Sequence, residues 1–176
     1  MNKDILEKLF IILKSFNISY VLIGGYAAAV WGSVRATKDV DFLTDVPYLM
    51  INKVVEALEK QGFSVEYRSG DIGDPVRSVI ELKFQIEGDK ESVELIQGIK
   101  HMPGDIFSRS EKIGMLGIDI PVASPEDLIV LKLLAGGPVD KQDARAIYKL
   151  MRDKLDMQYL EKELQRCKLS IESLSS

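Results

Sequence analysis

The stretch VLIGGYAAAVWGSVRATKDVDFLTD, residues 21–45, decides how this chain is read. An apolar run ends at Gly24 and Gly25, an alanine-rich segment follows, and after thirteen intervening residues (26–38) Asp39 and Asp41 flank Val40. The pattern predicts a buried strand ending at the glycines, a short helix, and a second strand with Val40 and Phe42 on one face and both aspartates on the other. Side chains two apart in a strand share a face, roughly 6.5–7 Å apart at the backbone. Two carboxylates so placed repel each other and resist burial, so a compensating group is required, and a divalent cation supplies it. Bare glycine backbone beside them lets a phosphate approach without a Cβ in the way. A glycine pair alone would be only a tight turn; the aspartates give it chemical meaning.

Working outward, MNKDILEKLFIILKSF has apolar residues at helical spacing, and residues 47–62 run from Pro47 to Gly62 in the usual order of helix ends. FSVEYRS, VRSVIELKFQI and SVELIQ read as strands, the last two joined through the turn-rich EGDK, residues 87–90. KIGMLGIDIPVA is extended with a turn near Gly117. Ser124, Pro125 and Asp127 open a helix that stops at Gly136, and two further helices follow over residues 140–154 and 156–167. The expected architecture is α/β (α+β), a mixed central sheet with flanking helices. Residues 1–123 form the core, 124–170 a helical C-terminal segment packed on it, and 171–176 a frayed tail.

The 176 residues are 46% hydrophobic and 28% charged, the profile of a globular protein of one domain. A net charge of -4 and a pI near 5.2 provide no global attraction for a phosphate backbone. Cys167 is the single cysteine, which excludes an internal disulfide framework and a thiolate metal cage. The N-terminal apolar block is interrupted by Lys14 and lacks a cleavage site, and no run reaches the ~20 apolar residues of a membrane span. A cytoplasmic location with no membrane partner is expected.

Magnesium is the cation that suits this donor set, because it is commonly held by one or two carboxylates together with substrate phosphates. A third carboxylate would let one cation activate an acceptor hydroxyl, and Glu94 in SVELIQG alternates with Val93 and Leu95 in a way that could aim it at the aspartates. An acidic residue on a solvent-facing strand position is an equally ordinary reading of Glu94.

IGGYAAAVWGSVRATKDVDFLTD resembles the signature of the DNA polymerase β type nucleotidyltransferase superfamily. VASPEDLIVLKLLAGGPVDKQDARAIYKL is similar to the C-terminal half of its toxin-related group, which includes abortive-infection and toxin–antitoxin enzymes. The two blocks cover roughly residues 20–150. The resemblance implies a nucleotidyltransferase fold and a Mg2+-dependent transfer of a nucleoside monophosphate from a nucleoside triphosphate to a hydroxyl on RNA, protein or a small molecule. It implies metal-binding roles for Asp39, Asp41 and Glu94, and a phosphate loop at Gly24 and Gly25. Lys132 would reach the phosphates, with Arg35, Thr37, Asp140 and Asp143 completing the nucleotide site. A cognate toxin or antitoxin protein is an implied partner.

The residues also admit plainer roles. Lys132 could pack its stem on the core, Arg35 could steady a helix end, and Asp140 and Asp143 could be first-turn helix acids. His101 reads as a loop residue and Trp31 as core. Many active members have glycine-serine where this chain has Gly24-Gly25, and the third acid here is glutamate. These departures frame a second reading, an inactive fold acting as a toxin–antitoxin binding partner. A third takes Asp-Val-Asp as the cation motif of a nucleotide-sugar glycosyltransferase, against which stand only 38 preceding residues.

Overall fold

A computed structural model describes residues 2–37, 39–86 and 89–174. Its centre is one seven-stranded mixed sheet of order β3-β4-β5-β2-β1-β7-β6. The strands are β1 (Tyr20–Leu22), β2 (Asp39–Thr44), β3 (Ser64–Ser69), β4 (Val76–Ile86), β5 (Asp89–Ile99), β6 (Glu111–Met115) and β7 (Ile118–Val122). β2 runs parallel to β5 and β1 parallel to β7, while the remaining neighbours are antiparallel. The helices are α1 (Lys3–Ser15), α2 (Gly24–Val30), α3 (Ile51–Lys60), α4 (Pro125–Ala135), α5 (Pro138–Met151) and α6 (Met157–Arg166). The mixed α/β architecture expected from the sequence is the one observed.

The period-2 pattern of β2 determines which side is core. Val40 and Phe42 are buried, and Phe42 meets Phe10 of α1 and Tyr20 of β1 edge-on at 5.4 and 6.1 Å between ring centroids. Phe42 pairs with Leu95 and Leu95 with Ile80, so one apolar row crosses three strands beneath α1 and α3. The opposite face of β2 carries Asp39 and Asp41.

α4 is apolar on nearly every side, the mark of a helix enclosed by protein. Ser124 caps it: its Oγ accepts from the Asp127 N–H at 3.2 Å and donates to Asp127 Oδ2 at 2.9 Å. Gly136 ends it in the left-handed region, φ +71°, where glycine carries no Cβ penalty. Trp31 is buried as expected, its indole N–H donating to the Ala123 carbonyl at 2.8 Å.

Among the boundaries that differ from the sequence reading, four stand out. α2 is bounded at Gly24, but the φ of +68° there makes Gly24 the bend that was expected, and only Gly25 enters the helix proper. A 3-10 turn, Tyr48–Met50, precedes α3 where a single helix from Pro47 was expected. β5 extends from Asp89 to Ile99, so Asp89 and Lys90 are strand where a turn was expected; Glu87 and Gly88 lie outside the described residues, as does Lys38 at the expected start of β2. Ile171–Leu174 form a 3-10 turn where fraying was expected, because Leu174 is buried and Arg145 Nε donates to the Ser173 carbonyl at 3.0 Å; Ser175 and Ser176 lie outside the described residues. No helix among the described residues is long and apolar enough to cross a membrane.

Candidate active site

The parallel pairing of β2 with β5 sets Asp39 opposite Ser92 and Asp41 opposite Glu94. Paired residues project to one face, so all three predicted acids stand together on the side away from the apolar row. Asp39 is exposed, and its Oδ1 accepts from Ser92 Oγ at 2.9 Å. Asp41 is half-buried. Burial, followed by the negative charges of Glu94 and Asp39, pushes its carboxyl up to about 7 against the opposing pull of Lys132 and Arg35. Among the described residues neither aspartate has a lysine or arginine within ion-pair distance.

The glycines are placed by contact with these acids. Gly24 has φ +68°, and a Cβ on it would overlap Asp41 Oδ2. A Cβ on Gly25 would lie 2.9 Å from Thr37 Oγ1 and 3.2 Å from an Arg35 guanidinium nitrogen. The Ile23 N–H, just before the pair, donates to the Asp41 carbonyl at 2.8 Å and fixes the bend against β2.

The facing wall comes from α4 and the start of α5. Lys132 is buried, and its Nζ lies 2.8 Å from Asp140 Oδ1 and 3.0 Å from Asp143 Oδ2. Asp143, 1% exposed, also accepts from Ser33 Oγ at 2.7 Å and pairs with Arg35 Nε at 3.3 Å. Burial raises the Asp143 carboxyl, but hydrogen bonds from Ser33 and Lys132 and the charges of Lys132 and Arg35 outweigh it and hold it below the usual range. One carboxylate thus ties together a lysine and an arginine from distant parts of the chain.

Between the two walls lies a cleft of about 390 Å³ lined by Gly24, Gly25, Arg35, Thr37, Asp39, Asp41, Glu94, Lys132 and Asp140. Every sequence-predicted site residue is there except Asp143, which sits behind Lys132. Ile23, Ile96, Ile99, Leu128 and Leu131 add apolar surface.

The predicted three-carboxylate metal set is not closed. Among the described residues no three His, Cys, Asp or Glu side chains form a group able to hold a metal ion. Glu94 leans the other way, with Oε1 3.2 Å from an Arg68 guanidinium nitrogen. Burial raises the Glu94 carboxyl, and Arg68 opposes the rise. The donor chemistry of Asp39 and Asp41 still suits a hard cation, since two carboxylates beside open space, neither in an ion pair among the described residues, leave room for oxygens from a substrate.

Sequence reasoning missed Ser92, Arg68 and Ser33. Ser92 was within reach, being two residues before Glu94 and therefore on its face; Arg68 and Ser33 were not, since only strand order and a contact between remote segments bring them in.

A family model described as "Nucleotidyltransferase of unknown function (DUF6036)" matches residues 3–175. Among curated proteins none matches the chain in sequence. Several solved structures share the fold. An antigenic nucleotidyltransferase-like protein from Paracoccidioides brasiliensis is 19% identical over 97% of this chain and 89% of its own, with a TM-score of 0.56. The solution structure of the antibiotic-resistance factor ANT(2″)-Ia is 16% identical over 94% and 90%, with a TM-score of 0.59. ANT(2″)-Ia in complex with adenylyl-2″-tobramycin is 15% identical over 94% and 94%, with a TM-score of 0.57. At these identities the likeness establishes the fold.

Proposed function

Because the chain belongs to this nucleotidyltransferase family, we propose that the cleft binds a magnesium–nucleoside triphosphate and that the protein transfers the nucleoside monophosphate to an acceptor hydroxyl, releasing pyrophosphate. The observation that carries this reading is the pair of aspartates, Asp39 and Asp41, neither in an ion pair among the described residues, facing Lys132 and Arg35 across an open cleft whose floor is bare glycine backbone. The aspartates offer oxygens to a cation, and Lys132 and Arg35, each already paired with Asp143, offer N–H donors to a polyphosphate.

Asp39 and Asp41 would hold the cation; when bound, it neutralises phosphate charge and stabilises the attacking and leaving oxygens. Lys132 and Arg35 balance charge on the phosphates, oriented by Asp143 from behind. Gly24 and Gly25 keep Cβ atoms out of the phosphate path. Glu94 stands on the adjacent strand, on the side of Asp41 toward β4, where an acceptor hydroxyl would give up its proton. Ser92 holds Asp39 in place through its hydroxyl.

The acceptor is a hydroxyl compound of RNA, protein or small-molecule type. The complex of ANT(2″)-Ia with adenylyl-2″-tobramycin supports the small-molecule class as the first to try. Labelled triphosphates with magnesium and an acceptor panel test the reading: label transfer is expected from the wild type and a fall of roughly 10²-fold or more in Asp39→Asn and Asp41→Asn. Transfer unaffected by both substitutions removes the assignment.

A second reading, a nucleotidyltransferase fold without turnover that serves as half of a toxin–antitoxin pair, is favoured by one observation, the capture of Glu94 by Arg68. Calorimetric titration separates the two. Magnesium-dependent triphosphate binding supports the enzyme, and absence of nucleotide binding supports the partner role.

A further inference from the structure

Asp41, Glu94, Glu81 and Glu66 stand in register across β2, β5, β4 and β3, forming one row of carboxylates on one face of the sheet. Like charges directly opposite each other destabilise a sheet, so such a row needs cations along it. Among the described residues two pair with it, both toward the far end. Arg68 lies 3.2 Å from Glu94 and 3.7 Å from Glu81; Lys83 lies 2.6 Å from Glu66 and 3.4 Å from Glu81. At the Asp41 end no lysine or arginine among the described residues comes within ion-pair distance, and Lys132 and Arg35 act on Asp41 only from across the cleft.

Glu94 therefore sits between unlike neighbours. Asp39 repels it, as does Asp41 through the like-charge interaction that raises the Asp41 carboxyl, while Arg68 attracts it from the other side at 3.2 Å, in keeping with the open three-carboxylate set. A dication held by Asp39 and Asp41 would reverse the field that Glu94 experiences from that side. Arg68 would lose little by letting go, because Glu81 already lies within its reach and an exposed pair binds weakly.

We infer that Arg68 is a positioning residue that parks Glu94 away from the Asp39 and Asp41 pair, and that cation loading with nucleotide draws Glu94 across while Arg68 keeps Glu81. The inference rests on the reading of the cleft as a nucleotide–cation site. It makes the third carboxylate conditional: Glu94 joins the acidic set only once the cation is in place.

The experiment uses the full chain, Mn2+ as the probe and a non-hydrolysable nucleoside triphosphate, with Mn2+ affinity read by electron paramagnetic resonance. Arg68→Gln is expected to tighten Mn2+ by roughly 2- to 5-fold, the scale of an exposed ion pair. Glu94→Gln is expected to weaken Mn2+, and adding Arg68→Gln to it should change nothing further. Lys83→Gln removes the same charge from the row without freeing Glu94, so its effect should be clearly smaller. If Arg68→Gln matches Lys83→Gln, or keeps its effect in the Glu94→Gln background, plain charge removal explains it and the parking role is overturned. If wild type and Asp39→Asn bind Mn2+ alike, the site reading itself falls before Arg68 is tested.

Discussion

Asp41 and Glu94 are parallel-strand partners, one residue opposite the other, and Asp41 has no lysine or arginine within ion-pair distance among the described residues while Glu94 has Arg68 at 3.2 Å. The pairing places the cost of like charge on Asp41, whose carboxyl is raised from 3.8 to about 7, burial being the first cause. In metal-free protein the folded state keeps this proton up to about pH 7, whereas the unfolded chain releases it near 3.8. Stability is therefore expected to fall as pH rises between these values, with the full loss, on the order of 2–4 kcal/mol, present above pH 7. Urea unfolding with a chelator at pH 5 and pH 8 checks this: Asp41→Asn should lose less stability over the interval than wild type. An identical pH dependence in both proteins would contradict it.

The two glycines should respond differently to alanine. Gly24→Ala meets both a positive φ and overlap with Asp41 Oδ2, so it should cost roughly 1–3 kcal/mol and displace Asp41. At Gly25 no positive φ intervenes, and the nearest obstacle is the Thr37 hydroxyl at 2.9 Å. Gly25→Ala should fold within about 1 kcal/mol of wild type while weakening triphosphate binding through the shift of Thr37 and Arg35. Thermal unfolding and calorimetry on the two variants distinguish these outcomes.

Asp143 and Lys132 make a second contrast. Asp143→Ala removes the shared partner of Lys132, Arg35 and Ser33 and leaves a buried ammonium with Asp140 alone, so a loss of roughly 3–5 kcal/mol is expected. Lys132→Met keeps the stem's packing and leaves Asp143 with Arg35 and Ser33, so its stability cost should be smaller while triphosphate affinity collapses. Unfolding midpoints and nucleotide titrations, measured on both variants, test whether Asp143 acts from behind the cleft as the geometry indicates.

The central features were legible because they depend on local periodicity. Alternation in DVDFLT fixes which face carries Asp39 and Asp41, and the Ser124–Pro125 start and Gly136 stop define α4 without any tertiary information. What was hidden depends on sheet order. Arg68 reaches Glu94 only because β4 and β5 lie as they do between β3 and β2, and Asp143 turns inward only because α5 packs against the segment holding Ser33 and Arg35. The length of β5 was misjudged for a different reason: Asp89 and Lys90 have turn-like composition, yet they pair with Ile86 and Gln85. Backbone pairing there overrides side-chain preference.

The SPEDL block raises a last question: whether its acids serve the reaction or the scaffold. Asp127 is fully buried, with its carboxyl raised by desolvation, and Tyr159 of α6 donates to it at 2.6 Å. Arg109 stacks 3.7 Å over the Tyr159 ring and pairs with Glu126 at 3.1 Å, while Glu126 accepts from the Asp156 N–H at 2.8 Å. These contacts join the start of α4 to the start of α6 and to the chain before β6, and none of Arg109, Glu126, Asp127 or Tyr159 lines the cleft. The block is thus a clasp between helices, placed so that its last residue, Leu128, and Leu131 and Lys132 about one turn later face the site. Tyr159→Phe deletes one hydroxyl and leaves a buried carboxylate short of a donor, which should cost roughly 1–3 kcal/mol in urea unfolding. Because the ring and its stacking with Arg109 remain, α4 should keep its position, and triphosphate affinity at a temperature well below the midpoint should match wild type. A variant that stays as stable as wild type but binds triphosphate several-fold more weakly would show that the clasp belongs to the site.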